Sequence, residues 1–266
     1  MKRIIILTAV IFAGVFAAGA WSHSMDKGVL LFAAKHLTPE AKAVVAEYIG
    51  DDITKAEGYL VAQRKAGRLT HTEGWHTLHL DKNLKPSAKD ENDALVQIEK
   101  ALEVMRNRNQ HSKAEVSLAI KTVMNLMIDM HNLSNVALEE YPLSGTDFEF
   151  MMGRGSARGK GGKVVPYRWK TLWTYRYGTF HAAYSPEMWL EELGVMFDGK
   201  MAELSAGTLR DWVGDIGSYS KPVYERLKQD DNKFLHATIH SYDLFNMSCV
   251  AKASYRLAAL LNENLK

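Results

Sequence analysis

Ser112-Lys113-Ala114-Glu115 opens the stretch that most constrains how this chain can fold. A serine followed three residues later by glutamate is a capping box, in which each side chain satisfies a backbone N–H that the first helical turn leaves free. Behind it Val116, Ile120, Val123, Met127 and Met130 recur at helical spacing, and Leu118, Leu126 and Ile128 make the remaining faces apolar too. A helix that is apolar nearly all round has to be covered on every side, so this one is expected at the centre of the molecule. The rest of the chain also reads as helix. Thr38-Pro39-Glu40 is an N-cap followed by proline at the first helical position, with Gly50 as the stop. Residues 26–36 carry apolar side chains at helical spacing. Asn92 or Asp93 caps a helix bearing Leu95, Ile98, Leu102 and Met105, and Ser185-Pro186 starts another through Trp189, Leu193 and Phe197. Residues 234–265 read as one long helix or two in line. The best strand candidate, residues 163–167, contains Pro166. The expectation is an all-α fold, a single multi-helix domain.

Composition adds boundaries. At 47% hydrophobic and 24% charged the chain resembles an ordinary soluble globular protein. Cys249 is its only cysteine, so no intramolecular disulfide is possible and stability must come from the core. Lys2 and Arg3 precede an apolar run over residues 4–16, and Ala18-Gly19-Ala20 follows. That order is a charged n-region, an h-region and an A-x-A cleavage site. Cleavage after Ala20 makes residues 1–20 a signal peptide and residues 21–266 a secreted or periplasmic domain. The h-region is too short to span a bilayer, and no later apolar run reaches the length required. Without Lys2 and Arg3, 31 basic residues face 31 acidic ones, so overall charge points to no partner. Cleavage would also give Trp21 a free α-amino group, a metal ligand or anchoring cation with an ordinary pKa near ~8.

Within the apolar helix, Asn125 and Asp129 are four residues apart and share a face. A carboxylate in such surroundings is costly unless it is paired, hydrogen-bonded or bound to a metal. A buried hydrogen bond is the plainer of these solutions. His23, His71, His76 and His131 each read as a surface or hydrogen-bonding histidine, or as a recruit to a displaced site.

Three further segments join Asp129 in an ordered pattern. They are Trp21-Ser22-His23-Ser24-Met25-Asp26 with Thr38-Pro39-Glu40-Ala41, then Trp75-His76-Thr77-Leu78-His79-Leu80-Asp81, then Tyr255-Arg256-Leu257-Ala258 with Leu261-Asn262-Glu263. Together they resemble the S1/P1 nuclease family, which shares its fold with zinc phospholipase C, through nearly the whole of residues 21–266. The resemblance implies an all-α fold with three zinc ions in a cleft. It also implies endonuclease hydrolysis of phosphodiester bonds in single-stranded nucleic acid and of 3′-nucleotides. Carried over residue by residue, the family's ligand positions are kept at Trp21, His79 and Asp129. Asp26 replaces a histidine, and Gln63, Asn125, Asn135, Trp173 and Tyr177 stand where the family has other ligands. The resemblance therefore implies a remnant of Trp21, Asp26, His79 and Asp129 that holds one divalent cation or none. Such an oxygen-rich remnant favours Ca²⁺ or Mg²⁺ over zinc. The expected protein is a catalytically degenerate family member. The alternative is a working metal-dependent phosphodiesterase with a reduced site, Asp129 being its catalytic residue. A lipid-headgroup hydrolase would need the same missing zincs.

Residues 150–186 contain no Asp or Glu but hold Arg154, Arg158, Lys160, Lys163, Arg168, Lys170 and Arg176. Tyr167, Trp169, Trp173, Tyr175 and Tyr177 are interleaved with them. Basic residues among aromatics suit single-stranded nucleic acid, a nucleotide or another anionic ligand. The competing reading makes the aromatics core and the charges a solvated face. The Gly-rich loop 153–162 offers backbone N–H groups to an anion but lacks the P-loop pattern.

Overall fold

The Ser112 capping box forms as its sequence requires. Ser112 Oγ accepts from the Glu115 backbone N–H, and the Glu115 carboxylate accepts from that of Ser112. The computed structural model describes residues 21–87, 92–152, 166–173, 183–230, 233–234 and 241–266. Helices α1 (His23–Lys35), α2 (Pro39–Ile49) and α3 (Tyr59–Lys65) lead into a 3₁₀ turn, Thr70–His76, and strand β1 (Leu78–Leu80). Helices α4 (Ala94–Arg106) and α5 (Lys113–His131) follow, then strands β2 (Val136–Leu138), β3 (Glu149–Met152) and β4 (Pro166–Arg168). A helical turn, Trp169–Thr171, comes before α6 (Pro186–Phe197), α7 (Met201–Leu204) and α8 (Leu209–Gln229). Strand β5 (Lys233–Phe234) and α9 (Asp243–Asn264) complete the order. The expected all-α class holds, with two small sheets added. Among the described residues no helix is long and apolar enough to cross a membrane.

Helix α5 takes the central position. It packs against α2, α4 and α9, while α1 packs on α6 and α9. Val116, Ile120, Val123, Met124, Leu126, Met127 and Met130 are all fully buried, in one core cluster with residues of every longer helix. Thr38, Asp93 and Ser185 cap α2, α4 and α6 through their side chains. Two sequence expectations shift. Phe234 belongs to β5 and α9 begins only at Asp243, so residues 234–265 are not one continuous helix. The expected strand at 163–167 is found at Pro166–Arg168, with residues 163–165 outside the described set. In the sheet order β4-β3-β5 it is an edge strand, where proline's missing N–H costs no ladder bond.

The parallel pair β1–β2 positions the site. Leu78, His79 and Leu80 face Val136, Ala137 and Leu138, which brings the end of the Thr70–His76 turn beside the end of α5. Close packing also fixes α1 on α6. A Cβ added at Gly28 would lie 2.4 Å from Trp189 Cβ and 3.2 Å from its Cγ. The Cβ is the root of a buried tryptophan and cannot swing aside. Gly28→Ala is therefore expected to destabilise the fold by about 1–3 kcal/mol despite alanine's better helix propensity. Urea unfolding of the variant checks this; an unchanged midpoint would contradict the packing.

Candidate functional site

Asp129 lies on the last turn of α5 and is buried. Its Oδ2 is 2.7 Å from Nδ1 of His76, which closes the 3₁₀ turn and is itself 8% exposed. A ring N–H at Nδ1 donates to a carboxylate oxygen in this geometry. His76 Nε2 is buried and makes no hydrogen bond. Just beyond α5, Asn135 donates from Nδ2 to the Asp129 carbonyl at 3.2 Å and accepts at Oδ1 from Lys170 Nζ at 3.1 Å. Burial lowers the pKa of the Lys170 ammonium, while Asp129 and Asp147 pull it the other way. The backbone N–H of Lys170 donates to Asp147 Oδ1 at 3.0 Å. Arg168 holds the other oxygen of Asp147 through Nε at 2.7 Å. One turn back on α5, Asn125 uses Nδ2 on two carbonyls, Ala56 at 2.7 Å and Lys121 at 2.8 Å.

The segment at Trp21 forms a second buried polar group. The Trp21 backbone N donates to Asp26 Oδ1 at 3.1 Å, and its indole N–H donates to Asn246 Oδ1 on α9 at 3.0 Å. Both Trp21 and Asp26 are buried.

His79 lies elsewhere. Between the buried Leu78 and Leu80 of an extended strand its side chain must take the opposite face. There its backbone N and Nδ1 meet Asp93 Oδ2 at 2.5 and 3.2 Å. Asp93 caps α4 through its other oxygen. The histidine on Asp129 is thus His76, three residues before the one that the sequence pattern selects. A one-face reading of the segment misses it because the backbone changes from 3₁₀ turn to strand between the two. Gln63 stays on α3 and accepts from Arg68 Nε at 2.6 Å. Trp173 is fully buried against Trp169 and Tyr242. Trp169 is equally buried and donates to Tyr224 Oη at 3.1 Å. Both tryptophans are core, as the plainer reading of the aromatic stretch expects. Tyr177, Arg154, Arg158, Lys160, Lys163 and Arg176 lie outside the described residues. Among the described residues, no three His, Cys, Asp or Glu side chains form a group suited to a metal ion. No family model and no curated protein matches the sequence.

A buried network, in which the sequence reading places only His131, ends α5. His131 donates from Nδ1 to the Met127 carbonyl at 2.7 Å and accepts at Nε2 from Arg256 Nη1 at 3.1 Å. Full burial, aided by the Arg256 charge, pushes the imidazole pKa down to about 3, so it is neutral. Arg256 also donates to the Leu204 carbonyl at 3.1 Å and to Asp215 Oδ2, and lies 5.3 Å above the Trp212 ring. Lys252 shares Asp215 at 2.9 Å. The sequence offers His131 as a hydrogen-bonding histidine and carries the Tyr255-Arg256 run, but the partners of Arg256 lie 41, 52 and 125 residues away. Burial pushes the nearby Cys249 thiol up to about 12, which removes it from thiolate chemistry at neutral pH.

Proposed function

We propose that this is a secreted or periplasmic protein of S1/P1 nuclease type that has lost zinc-cluster catalysis and retains binding of an anionic ligand, single-stranded nucleic acid foremost. One observation carries the reading. The carboxylate of Asp129 is engaged by His76, and the neighbouring Asn135 and Lys170 bring an amide and an ammonium where the resemblance implies zinc ligands. The amide of Asn125 is spent on backbone carbonyls and Trp173 is part of the core. A three-zinc cluster finds too few donors in that set. Arg168 is already clamped by Asp147 and Lys170 by Asn135. The grip on a phosphate chain therefore falls to Arg154, Arg158, Lys160, Lys163 and Arg176 around the Gly-rich loop.

Fluorescence anisotropy with a labelled single-stranded oligonucleotide tests this. The expected result is binding that weakens steeply with salt, with no cleavage in the same sample. Replacing Arg154, Arg158, Lys160 and Lys163 together by glutamine is expected to lower affinity by at least ~10-fold, whereas Arg168→Gln changes it little. Absence of binding at low salt contradicts the reading. A second reading, a phosphodiesterase with a reduced metal site, draws on the buried Nε2 of His76, because a carboxylate on the far ring nitrogen, as Asp129 is here, commonly orients a metal-bound histidine. Oligonucleotide cleavage that EDTA abolishes would select it.

A further inference from the structure

We infer that Trp21 and Asp26 form a lock that proteolytic processing completes. Removal of residues 1–20 turns the backbone nitrogen of Trp21 into an ammonium, which pairs with the buried carboxylate of Asp26 and fastens the start of α1 to the core. The inference rests on the reading above for one thing only, the export that exposes Trp21.

Asp26 lies in the first turn of α1 and is 4% exposed, and its backbone N–H donates to the Ser22 carbonyl at 2.9 Å. Its Oδ1 is 3.1 Å from the Trp21 backbone nitrogen, a distance that suits an ammonium donor as well as an amide. Trp21 is held at its other end too. Its side chain belongs to the core, and the indole N–H donates at 3.0 Å to Oδ1 of Asn246, itself buried on α9. Ser22 caps the same turn by accepting from the Met25 backbone N–H at 3.2 Å. The nitrogen is therefore placed against the carboxylate before any charge is created on it.

The sequence puts the cut at this corner, because Ala18-Gly19-Ala20 ends just before Trp21. A signal-type endopeptidase adds water across the Ala20–Trp21 peptide bond. The oxygen of the water goes to Ala20, which leaves as a carboxylate, and both its hydrogens go to the Trp21 nitrogen, which becomes an ammonium. Before the cut a peptide N–H offers Asp26 only a dipole. After it a full positive charge stands at the same place, and a charge-assisted hydrogen bond is roughly twice as strong as a neutral one. The N-terminus of α1 adds partial positive charge on the same side. A protonated nitrogen has no lone pair, so the lock also withdraws the Trp21 nitrogen and one oxygen of Asp26 from metal binding.

Chains with defined first residues, released from a cleavable fusion, test the lock without depending on export. One starts at Trp21, and the other keeps Ala18-Gly19-Ala20 ahead of it. In urea unfolding at neutral pH with EDTA, the chain starting at Trp21 is expected to have a folding constant at least ~10-fold higher. Asp26→Asn should cut that ratio to below about 2-fold. Starts that agree to within about 2-fold, or a ratio that survives in Asp26→Asn, overturn the inference. So does a ratio that appears only when a divalent cation replaces the EDTA, because the amine is then a metal ligand. If Asp26→Asn folds from neither start, acylation of the Trp21 amine in the unaltered chain, read by peptide mass spectrometry, becomes the readout. Labelling at least ~10-fold slower in the folded chain than in urea supports the lock, and labelling at the unfolded rate overturns it. Exported protein whose first residue is not Trp21 also overturns it, with the proposed ligand left standing. A ratio of the expected size without oligonucleotide binding would sink only the proposed ligand.

Discussion

Arg256→Met is expected to destabilise the folded chain by about 3–5 kcal/mol. Methionine keeps much of the volume and removes the fork. His131 Nε2 and the Leu204 carbonyl then lose their donor in the interior, and each orphan costs about 1–3 kcal/mol. Asp215 keeps Lys252, and its side chain is 34% exposed, so its share is smaller and screened by solvent. The loss is also architectural. Arg256 on α9 touches α5 through His131, the end of α7 through Leu204, and α8 through Asp215 and Trp212. Arg256→Lys keeps the charge but cannot serve three acceptors in one plane, so most of the loss should persist. Urea unfolding of both variants checks this. A cost below about 1 kcal/mol for methionine would mean that the fork is not a joint between these helices.

Acid is expected to weaken the fold well above the range where carboxylates titrate. His131 is neutral in the folded chain, its pKa pushed from 6.5 down to about 3 by burial and by Arg256. In the unfolded chain the same ring takes a proton below about pH 6.5. Folded His131 binds fewer protons across that window, so stability is full above it and falls as pH drops from 6.5 toward 3. The loss amounts to about 2 kcal/mol by pH 5. His36, whose pKa is lowered by burial and then by Lys35, adds a smaller loss of the same sign. Asp215 acts later. Burial, the largest single effect, raises its carboxyl pKa, but the hydrogen bonds and charges of Lys252 and Arg256 together outweigh it and hold the value below the usual one. The stability that it contributes is present above its unfolded pKa of 3.8 and disappears as pH falls through the lower folded value. His131→Gln, which retains a donor for Met127 and an acceptor for Arg256, should flatten most of the slope between pH 7 and 5. An unchanged slope in that variant would place the acid sensitivity elsewhere.

Local signals in the sequence carry over well into the fold. Thr38, Asp93, Ser112 and Ser185 each satisfy backbone groups within a few residues, so their helix starts are legible from the chain alone. Helix α8 is harder to see because Gly214, Gly217 and Pro222 interrupt its pattern. Its Thr208–Asp211 capping box was the available clue. Pairings between distant segments are not legible. The parallel register of Leu78 with Val136, which brings His76 rather than His79 to Asp129, depends on how α4 and α5 pack between the strands. The Asp129 carboxylate did announce itself, because a charge in so apolar a helix needs a partner. Which partner it takes is a tertiary fact.

The account turns on whether Asp129 is balanced by the protein or by a metal. Elemental analysis of the protein, expressed from the full sequence and purified without chelators, decides it most directly. The account predicts no stoichiometric zinc and no more than a trace of any other divalent ion. About three zinc ions per chain, or a single stoichiometric ion lost in Asp129→Asn, would contradict it and favour the reading as a metal-dependent phosphodiesterase.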